Sequence, residues 1–333
     1  MAKSFIYYFF FSYTVFVFGQ NIKTIHIDMS NALPLDLSEI VDSVTPIALE
    51  TRENISNGNI ILTNEYLFTI SISGFVVQFD LSGRLIRTID CGGFVTGSIT
   101  SDTVKKELYV PVGELIKCYD YSGKLNKEIS LQTQLAGCFY HNGDLWVHSY
   151  DNQSDRSIIN TINRVNLSTG KVTKLPFEIK KEPMQTPTGS FINAVWFSKF
   201  TLYNDEVIIS FDHADNVMYR IQQDKIMPFV RWDINPPAVN SDVYSMKANG
   251  FIGNYLFIHY RRNDQYYIYL ENTKTGEKYN VSNLIDNVFH TDGYCEIYSM
   301  NQKGHFFFIK TPDKIKGNIP LKTGPVIFIV KTK

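Results

Sequence analysis

Apolar and polar positions alternate with a period of two over short stretches, and polar turns punctuate those stretches at repeating distances. Val76, Gln78 and Asp80 alternate with Val77, Phe79 and Leu81, the pattern of a β-strand. Ser82-Gly83 follows, with a glycine that tolerates the positive φ of a hairpin turn, and residues 84–89 return as the partner strand. The turn Asp80-Leu-Ser-Gly-Arg84 recurs as Asp120-Tyr-Ser-Gly-Lys124, as Asn166-Leu-Ser-Thr-Gly-Lys171 and as Asn272-Thr-Lys-Thr-Gly-Glu277. A fourth-copy version, Gln222-Gln-Asp-Lys225, lacks the glycine. No helical pattern follows any of these glycines, which argues against phosphate loops.

A second series of apolar runs precedes each hairpin. The runs begin at Tyr66, Leu108, Leu145, Val207, Tyr255 and His305, each just after a polar turn such as Asn64-Glu65, Gly143-Asp144 or Lys303-Gly304. That spacing fits the ~40–50 residues of a four-stranded propeller blade, with one longer insertion before the fourth copy. Six copies predict an all-β, six-bladed β-propeller. The sixth copy ends after the strand of residues 325–330 and needs a fourth strand, or the ring keeps an open edge. Residues 44–49 in the leading segment are the expected donor, with residues 22–29 as the alternative. Pro46 suits an edge position there. Residues 37–41 read as a short helical turn. Two β-sandwiches would also use six β-rich units, but no composition break or linker marks the middle of the chain.

Residues 1–19 differ from the rest. Lys3 and Ser4 precede an uncharged, aromatic-rich run from Phe5 to Phe18, and cleavage before Gln20 fits a secretory signal peptide. The run is shorter than the ~20 apolar residues of a membrane span. The expected organisation is therefore a signal peptide over 1–19 and one propeller domain over 20–333. It implies an exported protein, periplasmic or extracellular, with no stable membrane span after cleavage.

Composition adds little beyond this. The chain is 44% hydrophobic and 14% aromatic, enough for a substantial core, and its formal net charge of −1 provides no bulk field for nucleic acid. Cys91, Cys118, Cys138 and Cys295 form no CxxC pair and read as buried free thiols.

The repeated strand pairs, residues 46–50 (Pro-Ile-Ala-Leu-Glu) and the stretch Phe79-Asp80-Leu-Ser-Gly83-Arg-Leu-Ile-Arg-Thr-Ile89 resemble the six-bladed propellers abundant in Bacteroidetes, related in shape to NHL-repeat and TolB-type propellers. The resemblance covers the whole mature chain and implies a fold more than a function. Family members carry a Gly-x-Gly-Pro-x-Glu-like segment where this chain has Cys91-Gly92-Gly93-Phe94, without the Pro or the acid. Many are lipoproteins, a modification for which this leader has no cysteine.

Neither HExxH, GxSxG, a P-loop nor an EF-hand loop occurs in the sequence. The loops between second and third strands gather on one face of a propeller, and such loops carry function. They place Tyr150, Asp151, Asp212, His213, Asp215, Arg261 and Arg262 on one rim as candidate ligand-binding residues. Carboxylates, an imidazole and guanidinium groups together suit a small molecule, a sugar or glycan, a peptide or a divalent cation. The alternatives stay open. Loop aspartates such as Asp151 and Asp215 also cap turns, and Arg261 and Arg262 also read as solvated or ion-paired. His148 and His259 lie in strands and are expected as hydrogen-bonded channel residues, and Trp146 as core between blades. The expected function is an exported binding or interaction protein, its partner a small molecule, glycan, peptide or protein. The second expectation is a propeller-type lyase or hydrolase acting on glycans or lactones, with or without a metal. Catalytic residues, cofactor and metal stay unassigned.

Overall fold

Six antiparallel sheets follow one another along the chain. In the computed structural model, residues 22–181, 184–185, 191–192, 198–211, 216–235, 250–262, 265–316 and 319–333 are described. The leading segment supplies β1 (Lys23–Asp28), β2 (Leu33–Asp36), the single turn α1 (Leu37–Ile40) and β3 (Val41–Ala48). Blade one then runs from Ile55 to Ile89, blade two from Thr100 to Ser130 and blade three from Gln134 to Lys181. Blade four spans Ser198 to Asn235, blade five Gly250 to Ile285 and blade six Tyr298 to Thr332. Strands pair in chain order within every blade, and the first strands of blades two to six touch in succession around an axis. The protein is a six-bladed β-propeller. A two-stranded hairpin, Met184–Gln185 with Phe191–Ile192, interrupts the connection from blade three to blade four.

Each blade packs both its faces on neighbours, so its middle strands are apolar on both sides rather than alternating. The second strand of blade six shows this well: Phe306 and Phe308 enter the core shared with blade five, and Phe307 enters the core shared with blade one. Six hydrophobic clusters fill the six blade-to-blade interfaces. Trp146 lies in the interface of blades three and four, as expected for core. All four cysteines are buried free thiols, and Cys118 and Cys138 share the interface of blades two and three. Burial raises all four thiols above their usual range, so none is activated as a nucleophile.

The leading segment wraps the outside of three blades. β1 pairs in parallel with the last strand of blade four, and β2 pairs in parallel with the last strand of blade five. Residues 22–29 therefore add a fifth strand to blade four and do not complete blade six. β3 does that, pairing antiparallel with Val326–Thr332 from Ala48↔Val326 to Val41↔Thr332. Pro46, opposite Phe328, sits on this outermost strand. Lys23 forms an ion pair with the buried carboxylate of Glu271 in blade five, and Asn287 holds Ser38 through its side-chain amide. The strap is thus fixed by polar contacts as well as by its ladders.

Two contacts seal the seam between blade six and blade one. Gly83 has φ +81°, and a Cβ there would lie 2.0 Å from the Ala48 carbonyl oxygen. The Gly83 carbonyl accepts from Glu50 N at 2.8 Å, so the hairpin turn docks directly on the end of the closing strand. Asp80 Oδ1 shapes that turn by accepting from Ser82 N and Arg84 N at 2.9 and 3.0 Å. On the inner side, Asn301 acts as a strand substitute: Leu62 N donates to its Oδ1 at 3.0 Å, and its Nδ2 donates to Leu62 O at 2.9 Å. Blade six needs this because its first strand is only Tyr298–Ser299.

Gly83→Ala is expected to destabilise the protein by more than about 3 kcal/mol, because positive-φ strain adds to a backbone clash. Gly123→Ala, with φ +83° but only the Arg87 and Ile89 side chains nearby, is expected to cost about 1 kcal/mol. Urea unfolding of both variants measures the difference, and equal losses would remove the seam from the account. Asn301→Ala strips two hydrogen bonds from the inner clasp and is expected to cost about 1–3 kcal/mol in the same assay.

Candidate functional site

First strands begin on the face where second strands end, so the axial channel opens among the loops that connect second to third strands. Of the sequence-derived rim, Asp212, His213 and Asp215 lie outside the described residues. Arg261 and Arg262 end the second strand of blade five, their backbones opposite Tyr266 and Gln265, and their side chains are likewise outside the description. Tyr150 and Asp151 still belong to the ladder, opposite Asn160 and Ile159 in the third strand of blade three. Thr133 Oγ1 donates to Asp151 Oδ1 at 2.9 Å and to the Tyr150 carbonyl at 3.2 Å. Asp151 thereby ties the chain leading into blade three to that blade's second strand, the capping alternative, while staying exposed.

A cavity on the axis is the better-formed concave feature. It is small, about 50 Å³, and is bounded by first strands or their flanks from blades one, two, three, four and six. Its polar lining comes from Asn59, Ser98, Thr100, Ser198, Lys199, Ser299 and Asn301, and its apolar lining includes Ile60, Phe139, Phe200 and Met300. A second, smaller lobe of about 20 Å³ continues past Phe139, Thr201, Phe251 and His305.

Local sequence builds these walls. In blade one the ladder jumps from Ile55↔Ser71 to Ile60↔Thr69, so residues 56–59 arch out of the sheet and bring Asn59 to the cavity. Phe139 and Phe200, from blades three and four, stack with centroids 5.8 Å apart and planes 10° apart. Lys199 Nζ reaches the Ser299 carbonyl at 3.4 Å. That contact joins blade four to blade six past the intervening blade five, which sets the ammonium over the channel. Ser198 Oγ is buried with no hydrogen-bond partner. Asn59, Ser98, Ser198, Lys199 and Asn301 escaped the sequence reading because short first strands carry little periodicity. Ser98 precedes its first strand and Ser198 and Lys199 open theirs, so polar residues at strand starts were the available signal.

One of the two strand histidines, His148, differs from expectation. His148 does not line the channel. It is fully buried between blades three and four, edge-on to Phe211 with centroids 5.3 Å apart. Its Nε2 lies 2.9 Å from Asn160 Oδ1, an acceptor, so Nε2 carries the proton and Nδ1 is a buried lone pair without a partner. Burial lowers its pKa to about 4 and keeps the ring neutral. His259 packs almost parallel to Phe257 within blade five.

On the same face, Lys310 Nζ donates to the carbonyls of Asp292, Gly293 and Tyr294 at 2.9–3.0 Å. The ammonium organises the connection from blade five to blade six, where Asp286 accepts from Val288 N and Phe289 N. Among the described residues, no group of three or more His, Cys, Asp or Glu side chains could hold a metal ion. No described helix is long and apolar enough to cross a membrane.

Against solved structures, the chain is similar to a candidate exported protein from Bacteroides fragilis NCTC 9343. The two are 14% identical with a TM-score of 0.67, and the match covers 93% of this chain and 100% of that one. It is also similar to a protein of unknown function from Bacteroides thetaiotaomicron VPI-5482, 12% identical, with a TM-score of 0.51 over 87% of this chain and 76% of that one. No protein-family model and no curated protein matches the sequence. At these identities the likeness speaks for the fold, and it extends over almost the whole chain.

The buried His148 gives a pH dependence with a definite sign. An unfolded histidine takes up a proton near pH 6.5, whereas the folded one stays neutral down to about pH 4. Its contribution to stability is therefore complete above pH 6.5 and lost as pH falls toward 4, on the order of 3 kcal/mol. His148→Gln, which keeps a donor for Asn160, is expected to flatten this part of the stability curve. Urea midpoints at pH 7 and pH 4.5 test it, and an unchanged slope in the variant would refute the assignment.

Proposed function

We propose that this chain is an exported binding protein whose ligand enters at the loop-bearing rim and is held at the axial channel. The observation that carries this reading is the cavity itself. First-strand segments of five blades converge on one space whose lining is half polar and half apolar, so a small ligand would meet both kinds of contact there. Tyr150, Asp151, Asp212, His213, Asp215, Arg261 and Arg262, which the sequence repeat assigns to the loops or strand ends between second and third strands, are the residues proposed to meet the ligand as it enters. Export is supported by the leader-like residues 1–19 and by the fold shared with the candidate exported protein. Seven of the 14 polar and apolar residues around the cavity are Ser, Thr, Asn or Lys, so hydrogen bonds to the ligand orient it, and the phenylalanine pair supplies contact area.

Thermal unfolding of the chain from Gln20 onward tests the reading. It is run with EDTA, with Ca²⁺, Mg²⁺ or Zn²⁺, and with panels of oligosaccharides, short peptides and small organic acids. A ligand at a hundred times its Kd is expected to add about 2.7 kcal/mol of stability and raise the midpoint. Ser198→Leu, which fills the cavity, is expected to abolish that rise, and Asp212→Ala/His213→Ala to weaken it. A rise that survives Ser198→Leu would move the site off the axis. A rise with a metal alone, lost in the double variant, would favour a metal-dependent enzyme.

A further inference from the structure

We infer that acid parts blades three and four ahead of the rest of the ring, with His148 as the sensor, and so opens the wall of the axial cavity. The inference adds a control to the channel-binding reading and rests on that reading for its use. Phe139, Trp146 and His148 share one face of blade three, since Phe139 lies opposite Trp146 and His148 follows Trp146 by two strand positions. That face meets Phe200, Val207, Ile209 and Phe211 of blade four in a single hydrophobic cluster, with Phe139 packed against it. His148 touches Phe211 in this contact, and Phe139 stacks on Phe200 where the two rings wall the cavity. Sensor and wall thus belong to one interface.

While the interface is closed, the His148 ring has nowhere to place a second proton. Its Nε2–H is taken by Asn160 Oδ1 at 2.9 Å, and Asn160 is held in turn by its Nδ2, which donates to the Ile179 carbonyl at 3.3 Å. Nδ1 is buried without a partner, so a proton there would find no acceptor. Among the described residues, the charged groups of this interface stand at its margins. Arg164 pairs with Asp224 across it at 2.8 Å, and His141 lies 3.6 Å from Asp205 Oδ1. Lys174 with Glu178 and Lys180 with Asp155 pair on blade three, and Arg220 with Glu206 on blade four. None of them neutralises a charge on His148, whose burial, against the hydrogen bond to Asn160, lowers its pKa to about 4. A proton on His141 tightens its contact with Asp205 and opposes opening, so the sign of the effect belongs to His148. Parting the blades lets water hydrate the imidazolium. Opening is therefore favoured about tenfold more for each unit of pH below 6.5, down to about pH 4, where the closed form takes the proton too.

Thiol labelling of the chain from Gln20 onward tests this, with Val207→Cys as the reporter buried between blades three and four. The native thiols report on other interfaces: Cys91 on blades one and two, Cys118 and Cys138 on two and three, Cys295 on five and six. The probe is dithiodipyridine, an aromatic disulfide that stays reactive in acid. Its rates are divided by that of free cysteine at the same pH, and peptide mass spectrometry assigns each labelled site. Between pH 7 and pH 4.5 the normalised rate at the Val207→Cys thiol is expected to rise about a hundredfold. At pH 4.5 it is expected to exceed that of every native thiol by at least about tenfold. His148→Gln and His148→Met, both without a titrating ring, are each expected to hold the rise below about threefold. Circular dichroism melts confirm that they are folded, and two substitutions guard against one failing. A common rate for all five thiols at pH 4.5 means that the ring opens as a whole and overturns the local assignment. A rise that persists in the folded His148 variants overturns His148 as the sensor, and no rise at all overturns the inference. The channel-binding reading stands or falls apart from this, on the Ser198→Leu comparison at pH 7, where the interface is closed.

Discussion

Pairing of β3 with Val326–Thr332 is the interaction on which the rest of the molecule depends, because a ring of blades has no core until it is closed. Each of the six interfaces is a separate hydrophobic cluster, and each blade contributes to two of them. An open ring would leave the facing surfaces of blade six and blade one exposed, including Phe79, Phe307 and Ile327, all fully buried in the closed form. The closing strand comes from the start of the chain and its partner from the end, so the seam joins the most distant parts of the sequence. Loop-closure entropy opposes such a contact, and only the burial that closure brings offsets it.

The chain places more than one device at that seam. Strand pairing supplies the outer edge, the Gly83 turn locks the end of β3, and Asn301 clasps Leu62 on the inside. The strap adds a further constraint upstream, since β1 and β2 must reach blades four and five before β3 reaches blade six. A parallel fifth strand also protects the outer edges of blades four and five, which otherwise present unpaired backbone groups. Blade three manages its own edge differently: its last strand kinks at Leu175-Pro176-Phe177 and carries Lys174, Glu178 and Lys180 outward.

Much of this was legible in the sequence, and the division between legible and hidden has a physical cause. Second and third strands are buried on both faces, so their composition is tightly restricted and the six runs stand out. The Asx-Gly turns repeat because Gly83 and Gly123 meet the preceding blade with positive φ, a requirement that other residues meet poorly. The donation of residues 44–49 to blade six followed from counting strands. The destination of residues 22–29 did not, because a parallel fifth strand answers to no deficit in the repeat. His148 was placed in the channel from its strand position alone. Its side chain points to blade four, a matter of which face of the blade it occupies, and the sequence carries no mark of that.

The first strands were the least legible part, and they are also where the candidate site lies. Elsewhere a blade residue must satisfy a neighbouring blade. A first-strand residue on the axis has open space before it, so its identity is free of packing and answers to whatever the space holds. The repeat accordingly breaks down there: blade one arches over residues 56–59, blade six keeps two strand residues, and blade four puts Ser198 and Lys199 where a regular repeat needs neither. A buried hydroxyl without a partner next to a lysine does nothing for the stability of a propeller.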